Sequence, residues 1–219
     1  MFRGIISKIV LYAIPQLKPF VKDKTTDFNL VSVDKNVERN ELTRTVAPYR
    51  IFNSTIGKGT YISVNSKISE TTIGKFCSIG PNFLCGWGLH PTDGLSTSPY
   101  FYSTSKQNGG SVADKDLFKE RQPIRIGNDV FIGANVTVLD GVTIGDGAII
   151  GAGSIVSKSI PDFAIAFGNP IQIKKMRFNE TQREQLKKIE WWNFSDAELK
   201  DVNRYFYDID GFIAKYQKD

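Results

Sequence analysis

Apolar residues recur every six positions along the second half of the chain. From Ile126 to Pro161 the sequence reads as six units, IGNDVF, IGANVT, VLDGVT, IGDGAI, IGAGSI and VSKSIP, and each unit opens with Ile or Val. A period of six matches neither the 3.6-residue period of an amphipathic helix nor the two-residue alternation of a strand. Each unit is therefore one step of a stacked array, which predicts a parallel β-helix.

Two positions in each unit are predicted to face the interior. The first position holds Ile or Val, and the fifth holds small or β-branched residues, namely Val130, Val136, Val142, Ala148 and Ser154. Glycine usually follows the apolar residue, as at Gly127 and Gly133, where a tight bend or a close approach of backbones leaves no room for a side chain. Three such units would close one coil of roughly eighteen residues.

A less regular array precedes this one, with units that open at Ile56, Ile62, Ile68, Ile73 and Ile79. Between the arrays, the residues from Cys85 to Pro123 break the period and carry Gly, Ser, Pro and aromatic side chains. A solenoid that expels a loop of this length commonly uses it for function. We therefore predict an all-β solenoid over residues 46–161 with an expelled active-site loop over residues 85–123.

The N-terminal region, residues 1–45, is expected to hold a helix and a connector. Apolar residues at helical spacing run from Ile5 to Ile14 and stop at Pro15. The stretch is too short to span a bilayer and lacks a small-residue cleavage site, so we expect a helix that packs on the solenoid. Peripheral contact of this helix with a membrane surface is the alternative. The polar segment 22–44 is interpreted as an irregular connector.

The C-terminal region, residues 162–219, is expected to form a helical tail. Helices are predicted over Asn179–Ile189 and Ser195–Tyr207, since Asn179 and Ser195 are good N-caps and Ser195 begins a capping box with Glu198. Trp191 and Trp192 lie between the two helices. They are expected to anchor the tail to the solenoid or to a neighbouring subunit.

Composition narrows the class of protein. The chain has 219 residues, of which 41% are hydrophobic, and only two cysteines, Cys77 and Cys85, which predicts buried packing and a reducing, cytoplasmic location. The net charge is +5, but the array carries no dense basic stripe. Positive residues instead collect beyond it, which suits a small polyanion better than duplex nucleic acid.

His90 is the single histidine of the chain and lies in the expelled loop. Histidine is the side chain best suited to accept a proton near neutral pH, so His90 is the candidate general base. Asp93 follows three positions later. It either orients the imidazole or is a solvated turn carboxylate.

The hexads, His90 on an expelled loop, and the closing Gly168-Asn169-Pro170 resemble the hexapeptide-repeat acyltransferases. Within them the chain is most similar to the xenobiotic acetyltransferase branch, which includes chloramphenicol and streptogramin acetyltransferases and sugar O-acetyltransferases. The likeness covers roughly Val46 to Phe178, and WWNFSDAEL resembles the tail of the branch. It implies a left-handed parallel β-helix, a homotrimer, and acetyl-CoA as acetyl donor in a groove between neighbouring subunits.

The resemblance also implies roles for individual residues. His90 matches the general base that removes a proton from the acceptor hydroxyl. The positions that match the region of the pantetheine arm are Gly133, Ala134, Gly151 and Ala152. The positions that match the region of the nucleotide and its phosphates are Lys158, Asn169, Pro170 and Lys174. Phe131 stands where many relatives have Trp, so an indole N–H donor is lost there.

Several functions are compatible with this fold. A zinc-dependent carbonic anhydrase needs three histidines around the metal, and one histidine excludes that function and leaves no predicted metal site. The expected function is O-acetyl transfer to a sugar of cell-surface polysaccharide or lipopolysaccharide, and the alternative is acetylation of an antibiotic. Stacking faces for either acceptor are predicted at Trp87, Tyr100, Phe101 and Tyr102. A non-catalytic β-helix scaffold is the second alternative.

Overall fold

The computed structural model describes residues 12–13 and 32–217. The strands are β1 (Val33–Arg39), β2 (Arg44–Thr45), β3 (Tyr49–Ile56), β4 (Tyr61–Ile62), β5 (Ser66–Ser69), β6 (Thr71–Ile73), β7 (Ser78–Ile79), β8 (Leu84–Cys85), β9 (Ile124–Ile126), β10 (Phe131–Ile132), β11 (Thr137–Val138), β12 (Thr143–Ile144), β13 (Ile149–Ile150), β14 (Ile155–Val156), β15 (Ala164–Phe167) and β16 (Gln172–Met176). The helices are α1 (Glu180–Ile189), α2 (Leu199–Arg204) and α3 (Ile209–Tyr216), with short 3₁₀ turns at Pro99–Phe101 and Trp191–Asn193.

The strands stack into a prism with three faces of parallel pairs, as the hexads predict. Face 1 runs through β3, β5, β8, β11 and β14, face 2 through β3, β6, β9 and β12, and face 3 through β2, β4, β7, β10, β13 and β15. The inward residues are, face by face, Ile51, Ile68, Cys85, Val138 and Val156; Ile56, Ile73, Ile126 and Ile144; and Ile62, Ile79, Ile132 and Ile150. Every one of them is at most 1% exposed, so the first hexad position is confirmed as core.

The register shows where the loop leaves the prism. Ile51 pairs with Ile68, and Ile132 pairs with Ile150, so one coil takes 17 or 18 residues. Cys85 nevertheless pairs directly with Val138, which lies 53 positions later in the chain. One coil and the expelled loop account for this gap, and the loop emerges between face 1 and face 2.

The fifth hexad position and the glycines also fit the prediction. Val130, Val136, Val142, Ala148 and Ser154 are all buried. A Cβ added to Gly133 would lie 2.6 Å from the backbone nitrogen of Ala152 in the next coil. The glycine is therefore required by the close approach of successive coils.

The connector predicted over residues 22–44 is wrong in its second part. Strand β1 pairs in parallel with β3, and β2 pairs with β4, so the stack begins before the first hexad. The apolar pattern did not predict β1, because its sequence is mostly polar. Val37 is the β1 residue that packs on the core, and Arg39 forms an ion pair with Asp34 at 2.9 Å. The N-terminal helix and the first part of the connector lie outside the described residues, apart from Tyr12 and Ala13.

The last strands extend the stack past residue 161. Strand β15 pairs in parallel with β13 on face 3, and β16 returns antiparallel to β15. A hairpin therefore closes this end of the sheet.

The C-terminal tail is helical, with boundaries that differ from the prediction. Helix α1 begins after Asn179, whose side chain forms the capping box with Gln182. The predicted capping box is confirmed, since the Ser195 N–H donates to the Glu198 carboxylate at 2.9 Å and the Glu198 N–H donates to the Ser195 hydroxyl at 3.4 Å. The second predicted helix is shorter than expected, because α2 covers only Leu199–Arg204, and α3 follows as an element that the sequence analysis missed. Trp192 is buried in the core of the tail, and Trp191 stacks on Phe76 of the solenoid at 5.6 Å, which confirms the predicted anchor.

Candidate active site

The three corners of the prism differ in what covers them. Corner A comprises residues 80–82, 133–135 and 151–153; corner B comprises 139–141 and 157–159; corner C comprises 57–59, 74–76, 127–129 and 145–147. The tail packs on corner C through the ion pairs Lys58–Asp196 at 2.6 Å and Arg177–Asp129 at 2.9 Å, and through Trp191. Corner C is therefore structural, while corner B holds the loop.

The expelled loop is fixed to corner B at both of its ends. Asp140 accepts a hydrogen bond from the backbone N–H of Gly88 at 3.0 Å and another from that of Gln122 at 3.2 Å. Arg121 also donates to the carbonyl of Gly86 at 2.7 Å. One carboxylate thus clamps the two strands of the loop stem, which places the loop residues relative to the prism.

His90 is exposed on this loop, and the contacts of its ring define its tautomer. Nδ1 lies 2.9 Å from the backbone oxygen of Thr97 and 2.8 Å from the hydroxyl oxygen of Tyr102. A carbonyl oxygen only accepts hydrogen bonds, so Nδ1 carries the hydrogen of the neutral ring and Nε2 carries the lone pair. No hydrogen bond to Nε2 is formed within the described part of the chain. The neutral form of this ring therefore presents, at Nε2, the lone pair that a general base requires.

Asp93 does not perform the orienting role considered for it. The partners of Nδ1 are Thr97 and Tyr102, and no hydrogen bond joins Asp93 to His90 among the described residues. Asp93 instead lies in the wall of a neighbouring cavity. The sequence contains no signal for Thr97, because its contribution is a backbone oxygen, and it suggested a different role for Tyr102.

The cavity beside His90 has a volume of about 550 Å³ and walls that come from the loop. Its lining residues are Pro91, Asp93, Gly94, Leu95, Ser96, Phe101, Tyr102, Leu117 and Phe118. Asp93 is the charged side chain of this set, and the rest of the wall is mainly apolar. The cavity is large enough for a small-molecule acceptor next to the candidate base.

The four predicted stacking residues occupy different places. Phe101 is 54% exposed in the cavity wall, and Tyr100 packs edge-on against it at 5.2 Å. Tyr102 is only 4% exposed, so its ring offers no open face to an acceptor. Trp87 lies apart from the cavity, against Phe52 and beneath Lys67 on the solenoid. Phe101 is therefore the residue placed best for stacking.

The residues matched to the pantetheine region come together at corner A. The N–H of Gly153 donates to the carbonyl of Ala134 at 2.9 Å, so the 133–135 and 151–153 turns stack directly. The next coil continues the column, since Ile155 donates to the carbonyl of Gly168. Ala152, Asn169 and Pro170 are exposed there. A ligand along corner A would meet backbone and small side chains.

The two lysines matched to the phosphates lie at different corners. Lys174 is exposed on β16, where its Nζ lies 5.3 Å from the ring centre of Phe167 and donates to Gln172 at 2.7 Å. Lys158 lies at corner B, beside the loop stem. The structure therefore places Lys174, but not Lys158, beside the column of corner A.

Cysteine and metal chemistry find no support in the described residues. Cys77 and Cys85 are buried, and burial raises the pKa of each thiol to about 12, so neither is a thiolate at neutral pH. The described ranges hold no group of three His, Cys, Asp or Glu side chains that is arranged for a metal ion. They also hold no helix of the length and apolarity that crossing a membrane requires.

Comparison with known families identifies the repeat. Residues 123–158 match the model described as bacterial transferase hexapeptide, six repeats. This segment includes strands β9 to β14 of the prism.

Comparison with individual proteins extends beyond the repeat. The chain is 42% identical over 132 residues to a probable macrolide acetyltransferase of Lysinibacillus sphaericus, a match that covers 59% of this chain and 72% of the relative. It is 37% identical over 136 residues to a chloramphenicol acetyltransferase of Klebsiella aerogenes, which covers 61% of this chain but less than two thirds, 64%, of the relative. The crystal structure of a hexapeptide-repeat containing acetyltransferase from Vibrio cholerae has the same fold, with a TM-score of 0.50, 24% identity, and coverage of 67% of this chain and 74% of that one.

Proposed function

The chain belongs to the hexapeptide-repeat acetyltransferases, and we propose that it transfers an acetyl group from acetyl-CoA to a hydroxyl of its acceptor, with His90 as general base. The observation that carries this proposal is the state of His90. Its Nδ1 is held by Thr97 and Tyr102, its Nε2 has no hydrogen-bond partner among the described residues, and its neighbours Pro91 and Tyr102 line a cavity that a small acceptor fits.

The chemistry follows from the position of that lone pair. Acetyl-CoA supplies an activated acetyl thioester. Nε2 accepts the hydroxyl proton of the acceptor as the hydroxyl oxygen forms its bond to the acetyl carbon, and the same nitrogen returns the proton to the departing thiolate. The Thr97 carbonyl stabilises the charged ring between the two transfers, because Nδ1 keeps its hydrogen throughout.

The residues that line the cavity indicate the chemical class of the acceptor. Exposed Phe101 and Leu117 contribute apolar surface, and Asp93 contributes one negative charge. Such a wall suits a bulky, partly apolar hydroxyl compound better than a simple sugar, whose many hydroxyls need polar partners. The names of two relatives, chloramphenicol and macrolide acetyltransferase, support the same choice. We therefore favour an antibiotic-like acceptor, and a surface sugar is the second candidate.

An acceptor panel tests the proposal directly. CoA release would be followed with a thiol reagent in the presence of chloramphenicol, a macrolide, hexoses and nucleotide-linked sugars, with His90→Ala as the matched control. We expect His90-dependent release with an apolar acceptor. Release with sugars alone would reverse the choice of acceptor, and no release with any compound would favour a non-catalytic scaffold.

The donor is proposed to lie along corner A. Small residues at positions 134 and 152 leave the backbone accessible there, and Gly133 and Gly151 are needed for the stacking of the coils themselves. The family resemblance places this groove between the subunits of a homotrimer. The trimer stays a prediction, and light scattering that gives one chain instead of three would contradict it.

Separate substitutions of the two lysines test where the phosphates bind. Lys174→Ala is expected to raise the KM for acetyl-CoA about two- to fivefold at low salt, because an exposed cation contributes a modest, screened attraction. Lys158→Ala, at corner B, is the matched control and should leave that KM nearly unchanged. Steady-state kinetics at low and high salt distinguish the two, and an effect confined to Lys158→Ala would move the phosphate site to corner B.

A further inference from the structure

The contact between Tyr102 and His90 deepens the proposed function and rests on it. The Tyr102 hydroxyl oxygen lies 2.8 Å from His90 Nδ1, and the two rings meet edge-on with centroids 6.3 Å apart. Because Nδ1 carries its hydrogen toward Thr97, the phenol oxygen shares that hydrogen as a second acceptor. The hydroxyl hydrogen of Tyr102 is then directed away from His90.

Tyr102 is held far more firmly than the ring it contacts. His90 is exposed, whereas Tyr102 is buried and packs edge-on against Phe118 at 5.8 Å. The backbone of Tyr102 is also fixed, since its carbonyl accepts a hydrogen bond from Leu117 at 2.8 Å. The phenol is therefore a fixed point against which the exposed imidazole can be oriented.

Glu120 lies near Tyr102 and hydrogen-bonds residues from both the first and the middle part of the loop. Burial raises the pKa of the Tyr102 hydroxyl, and the negative charge of Glu120 raises that pKa further. The Glu120 carboxylate also accepts from Ser103 at 2.7 Å and from Gln107 at 2.6 Å, which holds it in place. Its backbone oxygen accepts from Leu89, the residue before His90, at 2.8 Å.

We propose that Tyr102 is a positioning residue that, together with the Thr97 carbonyl, holds His90 in the orientation in which Nε2 faces the acceptor. The Nδ1–H hydrogen is shared between the Thr97 carbonyl and the phenol oxygen. When Nε2 accepts a proton, the ring becomes positive, and these two oxygens, together with the negative charge of nearby Glu120, stabilise it. Tyr102 touches no reacting atom in this arrangement and acts only through His90.

A kinetic cycle tests this role. Tyr102→Phe keeps the ring and its packing but removes the hydroxyl, and we expect kcat to fall about tenfold, the loss of one hydrogen bond, with the KM for acetyl-CoA unchanged. Tyr207→Phe makes the same chemical change at an exposed site of the tail and should leave kcat unaltered. In a His90→Ala background, Tyr102→Phe should cause no further loss, because a positioning residue has nothing left to position.

The outcomes of this cycle are distinct. A wild-type kcat for Tyr102→Phe, or an equal tenfold loss in the His90→Ala background, would overturn the proposal. Glu120→Gln gives an independent variant should Tyr102→Phe fold poorly, and a kcat about two- to fivefold below wild type, on the order of a lost, partly screened charge, is expected for it. An unchanged kcat for this variant would remove Glu120 from the proposal.

A spectroscopic readout needs no acceptor. His90 is the single histidine of the sequence, so long-range ¹H–¹⁵N spectra of the untagged protein report this ring alone. We expect the Nδ1–H tautomer in both proteins, because Thr97 accepts that hydrogen, and a shifted, broadened Nδ1 resonance in Tyr102→Phe, where the second acceptor is lost and the ring can reorient. An unchanged Nδ1 resonance in the variant would overturn the positioning role, whereas an ordered wild-type ring in a protein that acetylates nothing would overturn only the proposed function.

Discussion

Replacement of His90 by alanine is expected to lower kcat by about 10²- to 10⁴-fold, which is the usual cost of removing a positioned general base. The physical reason is that the Nε2 lone pair of His90 has no hydrogen-bond partner among the described residues. Its Nδ1 is already occupied by Thr97 and Tyr102. The measurement is steady-state CoA release with the acceptor identified by the panel.

Controls separate chemistry from folding in this experiment. His90 is exposed, so its removal should leave the thermal midpoint and the affinity for CoA close to wild type. Asp114→Ala, an exposed position on the same loop, should retain the wild-type kcat. If purified His90→Ala turns over at the wild-type rate across neutral pH, His90 is not the base.

Ile132→Ala is expected to lower the free energy of unfolding by about 2–5 kcal/mol, as large-to-small substitutions in tightly packed cores do. Ile132 is completely buried on face 3, between Ile79 of the coil before and Ile150 of the coil after. Removal of its side chain leaves a void in a stack where each coil supports only its neighbours. Urea unfolding followed by circular dichroism measures the change.

A matched isoleucine outside the core serves as the control. Ile173 lies on β16 and is 45% exposed, so Ile173→Ala should change the free energy of unfolding by no more than about 0.5–1 kcal/mol. Equal losses for the two variants would show that the interior column does not dominate the stability of the prism.

The proposed donor and acceptor sides of the site rest on different structural elements. Corner A is built from the coils themselves, whose spacing is set by Gly133 and Gly151. The candidate base and the cavity belong to the loop, which Asp140 clamps to corner B. Acceptor preference can therefore change through the loop while the prism stays the same, as with functional loops on other rigid scaffolds.

The sequence by itself determined the prism, because its information is local and repeated. Each hexad places Ile or Val at the first position and a small or β-branched residue at the fifth, so the interior columns through Ile132 and Ile150 could be predicted from spacing alone. The break in the six-residue period also located the expelled loop, and the single histidine of the chain lies within that loop.

Only the tertiary structure decided the contacts that join distant parts of the chain. Strand β1 is invisible to a pattern of apolar residues, since its ladder is supplied by β3 and only Val37 reaches the core. The orientation of His90 depends on a backbone oxygen at Thr97 and on a tyrosine twelve positions away, and neither carries a periodic signal. Lys158 and Lys174 look alike in sequence but lie at different corners. Non-local pairing and backbone groups decide such features, and residue type and spacing do not encode them.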